Sequence, residues 1–275
     1  MKYQIQKDRV IVDSSDEFNP RDILECGQIF CYKKDDKDYV VYSQDKMAKI
    51  VKNGKNYEIL TKNPEYFVNF FDLDTNYTQI KEQLLKEYPY LKNALNYGAG
   101  IRILKQDPFE TIISFIISSN NNIKRIQKIL FAIRENYGTK MGDYFAFPTI
   151  QQMLKITEQD YKNLGAGYRA KYLECAVRQL SKIDLMSYNN LSTAELNVEL
   201  LKIMGVGQKV ADCIMLFGFN RGDVFPVDTW IEKVYCTYFE EEHDRVKIRK
   251  NLINTFKQNS GYAQQYLFYS QRENS

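Results

Sequence analysis

Met204 to Tyr235 reads MGVGQKVADCIMLFGFNRGDVFPVDTWIEKVY. Gly205 and Gly207 flank a single apolar residue, and they separate one helical pattern, Thr193 to Ile203, from a second, Gln208 to Phe217. The spacing predicts a helix-hairpin-helix: a turn too tight for side chains, with the amides at its far end pointing outward from a helix N-terminus. In the first of these helices Leu196, Val198, Leu201 and Ile203 are available for packing. Such a hairpin can grip a nucleic-acid phosphate without reading sequence, although a plain helix connection accounts for GVG equally well.

Two ionisable residues follow the hairpin, Lys209 and, 19 positions on (228 minus 209), Asp228. Lys209 falls in the first turn of its helix, where the dipole disfavours the ammonium form and favours a nucleophilic free amine. A neighbouring carboxylate would act in the opposite sense. Asp228 ends the apolar approach VFPVD just before Thr229-Trp230, so it can cap the next helix, face a cleft, or do both.

Upstream the chain remains helical back to about residue 63. Asp107-Pro108 opens a helix whose Phe109, Ile112, Ile113, Ile116 and Ile117 belong to the interior. SSNNN (118–122) stops it, and the helix after it puts Ile123, Ile126, Leu130 and Ile133 inward and Lys124, Arg125 and Lys128 outward. Asn120 and Arg125 thus stand where phosphates or base edges could be met, though a capped helix start with a solvated face explains the same residues. In LGAGYRAKY, Gly165 and Gly167 precede Tyr168, Arg169 and Lys171. This arrangement suits a DNA wedge or clamp and equally an ordinary helix end.

The first 62 residues change period. YQIQ, RVIV, IFCY, YVVYS, KMAKIV and YEILT are short Val-, Ile- and Tyr-rich segments separated by turn material, with Asn53-Gly54 the strongest hairpin signal. Helices follow from Asn63-Pro64, from Thr78 to Tyr88 and from Tyr90 to Tyr97, before Gly98-Ala99-Gly100, read as a domain hinge. The expected class is α+β, with a twisted antiparallel sheet and a few helices in 1–99 and a helical helix-hairpin-helix domain in 100–275.

Composition excludes several classes. The 275 residues carry a net charge of only +3, so a nucleic-acid surface must come from local clustering. No apolar run reaches the roughly 20 residues a bilayer span needs, and the N-terminus lacks a signal-peptide core, so no membrane association and an intracellular location, cytoplasm or nucleoid if prokaryotic, are expected. The five cysteines, Cys26, Cys31, Cys175, Cys213 and Cys236, form no disulfide framework or zinc spacing, and the sole histidine, His243, lies in the acidic run EEEHD. No metal site is expected from side chains, and any nucleophile works without imidazole.

Taken together, GQIF, FFDLDTNY, GIRILKQDPFETIISFIISSNNNIKRI, LGAGYRAKY, GVGQKVADCIMLFGF, PVD and GYAQQYLF resemble, in order, the eukaryotic-type 8-oxoguanine DNA glycosylases of the helix-hairpin-helix (HhH-GPD) superfamily. The resemblance implies a bifunctional glycosylase and abasic-site lyase acting on duplex DNA as a monomer. Lys209 would attack the sugar C1′ and form the Schiff base, and Asp228 would stabilise positive charge on the sugar. It further implies that the Gly27 carbonyl accepts the N7 hydrogen found only on the oxidised base, that Cys213 and Phe268 sandwich that base, and that Gln264 bonds its Watson-Crick edge. Asn120, Arg125 and Arg169 would fill the vacated stack and read an opposite cytosine, with Tyr168 as wedge; Gly205, Gly207 and Gln208 would hold the backbone.

From the residues alone, Cys213 is equally a buried thiol, and Gln264 and Phe268 equally packing partners at i,i+4 spacing. No cofactor is implied, apart from a monovalent cation that hairpin carbonyls could hold. The clustered cysteines of iron-sulfur relatives are missing, since only Cys236 follows Cys213. Trp230 stands where many relatives have histidine, and Cys31-Tyr32 follows GQIF where some have Arg-Trp. A non-catalytic helix-hairpin-helix binder, a glycosylase for another damaged base and a Schiff-base enzyme for small carbonyl compounds are the competing classes; the last gives no reason for SSNNNIKR.

Overall fold

The computed structural model describes residues 1–13 and 17–273, which divide into two compact units. One unit comprises 1–29, 50–105 and 220–275; the other comprises 30–49 and 106–219. The units are therefore discontinuous in sequence, unlike the expected division at 99/100.

Six strands, β1 (Tyr3–Gln6), β2 (Arg9–Asp13), β3 (Tyr32–Asp35), β4 (Asp38–Ser43), β5 (Lys46–Asn53) and β6 (Asn56–Thr61), follow the order β1-β2-β6-β5-β4-β3. β2 and β6 are antiparallel, with Val10 opposite Ile59 and Val12 opposite Tyr57. Val10, Val12 and Ile59 are wholly buried, as the period of two requires. The expected strand IFCY is replaced: Ile29, Phe30 and Cys31 are buried in succession, which a strand with one solvated face cannot do, and pairing begins only at Tyr32. In the next hairpin Asn53 closes β5 and Gly54 alone takes positive φ.

In the first unit a short helix that the sequence pattern did not reveal, Pro20–Leu24, is capped by Asn19. The helices Pro64–Phe70, Tyr77–Glu87 and Lys92–Tyr97 lie near their expected positions, with Pro89–Leu91 a 3-10 turn. Helices Thr229–Tyr238, Arg245–Phe256 and Ser260–Glu273 bury Ile231, Leu252 and Tyr266 in one apolar cluster with Leu84, Leu91 and Leu95. Gly98-Ala99-Gly100 is no hinge. The Gly100 carbonyl accepts from Asn19 N–H (3.1 Å), its N–H donates to Asp22 Oδ2 (3.2 Å), and Lys81 donates to the Ala99 carbonyl (3.0 Å), which fastens the segment inside this unit.

Helix Pro108–Ser118 is the axis of the second unit. Asp107 caps it, and Ile112, Ile113, Ile116 and Ile117 are buried, while Phe109 is only half-buried. Phe115 stacks on Phe217 of helix Gln208–Gly218, with centroids 5.6 Å apart. Arg134 and Glu110, both almost fully buried, pair directly; the carboxylate also accepts from Gln44 N–H (2.7 Å), and the guanidinium donates to the Gln44 and Phe145 carbonyls (3.1 Å each). Isolated charges could not remain ionised there, so the pair and its backbone partners form one structural group. In helix Thr193–Leu201, Leu196 and Leu200 pack inward, but Val198 and Leu201 are exposed.

Candidate active site

The second unit holds the hairpin. Gly205 takes φ +87°, a conformation that L side chains rarely adopt, and a Cβ there would stand 2.8 Å from Tyr172 Cβ. Gly207 is the N-cap of helix Gln208–Gly218 and has no side chain to bond the amides of the first turn; a Cβ on it would meet nothing within 4 Å. The helix therefore starts on an open, electropositive end suited to an anion.

Lys209, half-buried in that first turn, has its Nζ 5.5 Å from the Phe115 ring centroid. Cys213, one turn later on the same face, is 3% exposed. Gln208, expected to face DNA, turns its amide inward: Nε2 donates to Asn197 Oδ1 (2.8 Å) and to Asp212 Oδ1 (3.1 Å). The bond to Asn197 bridges the two helices of the hairpin, and the bond to Asp212, wholly buried on the same helix as Gln208, holds the amide in place.

Between helices Pro108–Ser118 and Ile123–Tyr137, Asn120 is exposed at φ +48°. Asparagine tolerates this conformation better than most residues. Arg169 lies beneath, only 3% exposed; its Nε donates to the Ser119 carbonyl (2.7 Å) and its Nη2 to the Asn120 carbonyl (2.6 Å). Burial pulls the Arg169 pKa below its usual value. Tyr168 is 54% exposed, covers the Arg169 guanidinium with its ring (4.4 Å) and donates to the Ser119 carbonyl (3.2 Å). Arg125 is exposed and donates to the Gly165 carbonyl (3.0 Å). These four residues therefore share one loop system, in which Arg169 acts as a buried brace and Tyr168 projects.

The remaining site residues gather in the first unit. Asp228 is the N-cap of helix Thr229–Tyr238, and its Oδ1 accepts from both Trp230 N–H (2.9 Å) and Ile231 N–H (3.0 Å). Neither cap bond uses Oδ2, so one carboxylate both starts a helix and keeps an oxygen for another task. Gly27 takes φ +87°, and a Cβ there would lie 3.2 Å from Phe268 Cε1. Gln264, one turn before Phe268, is 5% exposed, and its buried Oε1 accepts no hydrogen bond. A buried acceptor left without a donor is uncommon and is what a bound N–H would satisfy.

Sequence reasoning overlooked the residues that set the Gly27 turn. Gln28, wholly buried, donates to the Ile23 and Arg102 carbonyls (2.8 Å each) and accepts from Leu104 N–H (2.8 Å). Gln265 donates to the Cys26 carbonyl (2.9 Å), and Arg272 to the Glu25 carbonyl. Only the second residue of GQIF, Gln28, hinted at them, because a glutamine in an apolar run must find internal partners. Among the described residues no three His, Cys, Asp or Glu side chains gather to hold a metal ion, and no helix is long and apolar enough to cross a membrane.

Two family models match the chain in sequence: the 8-oxoguanine DNA glycosylase N-terminal domain over 10–112 and the HhH-GPD superfamily base excision DNA repair protein over 113–258. The 8-oxoguanine glycosylase/lyase of Clostridium acetobutylicum, solved with double-stranded DNA containing cytosine opposite 8-oxoG, superposes with a TM-score of 0.94 at 40% identity, covering 100% of this chain and 98% of that one. N-glycosylase/DNA lyase OGG1 of Arabidopsis thaliana is 28% identical over 223 residues, 74% of this chain and 61% of its own length. The probable N-glycosylase/DNA lyase of Methanothermobacter thermautotrophicus is 31% identical over 189 residues, 60% of this chain and 59% of its own. The alignments thus span about three fifths of the length of these last two relatives.

Proposed function

The chain belongs to the 8-oxoguanine DNA glycosylase family of the HhH-GPD superfamily, and from that premise we propose that it excises 8-oxoguanine from duplex DNA and then nicks the strand as an abasic-site lyase. The observation that carries this reading is Lys209, an amine in the first turn of a helix that begins on an uncapped glycine hairpin. Hairpin amides hold a backbone phosphate, and the amine beside them is delivered to a sugar rather than to a base edge.

The target base leaves the stack before chemistry, at a cost of roughly a few kcal/mol. Lys209 Nζ, as the free amine, forms a bond to C1′ while the C1′–N9 bond breaks and its electron pair leaves with the base, which takes up a proton. Ring opening gives the Schiff base, and loss of the C2′ proton expels the 3′ phosphate. Asp228 Oδ2 faces the positive charge that grows on the sugar. The carboxylate does so without reorganising, because Oδ1 is already fixed by two amides. Gln264 Oε1 takes an N–H of the base edge, and Phe268 and Cys213 supply its two faces.

Asn120 and Tyr168 fill and wedge the vacated stack, and Arg125 and Arg169 select the opposite cytosine; Arg169 does so by exchanging its carbonyl partners for a base edge. No cofactor takes part, the protein acts as a monomer, and its place is wherever the cell keeps its DNA. Borohydride reduction of a reaction on an 8-oxoguanine:cytosine duplex is expected to trap a covalent protein–DNA adduct, and Lys209→Gln to abolish it. Absence of an adduct, or undiminished trapping by the variant, sinks the mechanism. Equal excision opposite all four bases would remove the role given to Arg125 and Arg169.

A further inference from the structure

Arg272 stands apart from the other two residues that set the Gly27 turn because it is a cation and touches both sides of the recognition element. Its guanidinium donates to the Glu25 carbonyl, two residues before Gly27. A Cβ at Gly27 would meet its Nη1 at 3.2 Å, and its Cζ lies 5.7 Å from the Phe268 ring centroid and 5.8 Å from that of Tyr269. A planar fork can donate edgewise to a carbonyl while it lies against an aromatic ring; an ammonium cannot do both with one geometry.

We infer that Arg272 is a positioning residue for lesion discrimination, fixing the turn that carries the Gly27 carbonyl and the Phe268 ring as one rigid element; this rests on the reading of Gly27 and Phe268 given above. The oxidised base differs from guanine at N7, where it offers a hydrogen and guanine a lone pair. A carbonyl held still rewards the first and repels the second, whereas one free to turn away does neither well. Gln28 and Gln265 hold the turn from the side of Ile23 and Cys26, and of these three side chains Arg272 is the one whose charged group lies against the ring.

The experiment compares wild type, Arg272→Ala and Arg272→Lys in single-turnover excision of 8-oxoguanine opposite cytosine and in cleavage of a duplex that already contains an abasic site. The abasic duplex needs Lys209 but has no base to recognise, so it reports folding and lyase chemistry alone. Arg272→Ala is expected to lose about tenfold or more in excision while abasic cleavage stays at the wild-type rate, with Arg272→Lys in between. Equal losses in both reactions would reveal a structural role and overturn the inference, as would unchanged excision by Arg272→Ala. A wild type that cleaves the abasic duplex yet leaves 8-oxoguanine in place would instead refute the proposed substrate, and the inference with it.

Discussion

In Asp228 an observed capping role and the proposed catalytic role meet in one side chain, and the two can be separated. Asparagine is as good an N-cap as aspartate, so Asp228→Asn keeps the bonds to Trp230 and Ile231 and removes only the charge. The variant is expected to melt with the wild type and to bind lesion DNA while losing about 100-fold or more in single-turnover rate. A wild-type rate would make Asp228 a cap and nothing else. The thiols make a second case. Burial pushes Cys26 up to about 11 and Cys31 up to about 12, whereas Cys175 and Cys236 are partly exposed. Iodoacetamide at neutral pH should therefore label Cys175 and Cys236 first and spare Cys26 and Cys31 in the folded protein, because the thiolate is the reacting form; early labelling of Cys26, read by peptide mass mapping, would contradict the burial. The places of Lys209 in a first helical turn and of Asp228 at an N-cap were legible in the sequence because each sits beside a local signal, a glycine hairpin and a Pro-Val approach. Arg272 was not, because its partners, Glu25 and Gly27, lie more than 240 positions away (272 minus 27 is 245).

Among the elements, the hairpin and five of the six strands were legible, and the short helix Pro20–Leu24 was not. Tight turns announce themselves through glycine, whereas strand ends depend on which neighbours cover which face, and so IFCY was misread as a strand. The two hairpin glycines do different work, which gives a paired prediction. Gly205→Ala forces a Cβ into Tyr172 at 2.8 Å on a left-handed backbone, and should cost about 1–3 kcal/mol of stability. Gly207→Ala has φ −93° and open space, so it should cost less, no more than the roughly 1 kcal/mol by which alanine is a poorer N-cap than glycine. If both variants were equally stable in urea titration, the packing of the hairpin against Tyr172 would be wrong. Gln208→Ala tests the element differently. It leaves the buried Asp212 carboxylate without that donor and should destabilise by about 1–3 kcal/mol. A direct phosphate ligand, by contrast, would weaken duplex binding and leave the melting midpoint unchanged.

At the scale of the whole molecule, the division at 99/100 followed Gly98-Ala99-Gly100, read as a hinge, and a glycine-rich stretch carries no information about which distant segments share a core. The contacts group 220–275 with 1–29 and 50–105. Phe225, Ile231, Leu252, Phe256, Tyr266 and Leu267 fill one cluster with Leu84, Leu91, Leu95 and Ile101. Remove residues 220–275, about the last fifth of the chain, and those four side chains face water; at about 1.5–3 kcal/mol for each large side chain, the loss is comparable with the whole stability of a typical domain. Asp22 would also lose the Tyr269 hydroxyl, and the Cys26 carbonyl its Gln265 donor, so the Gly27 turn would be left with fewer ties. A fragment of residues 1–99 is therefore expected to retain strand signal in far-UV circular dichroism but to show no cooperative thermal transition, and adding a separate 220–275 peptide should not restore a transition at micromolar concentration, because the ordering entropy of joining two chains is then unmet. A sharp two-state melt of 1–99 alone would show that the sheet and its first helices need nothing from the C-terminal helices, and the shared core described here would have to be abandoned.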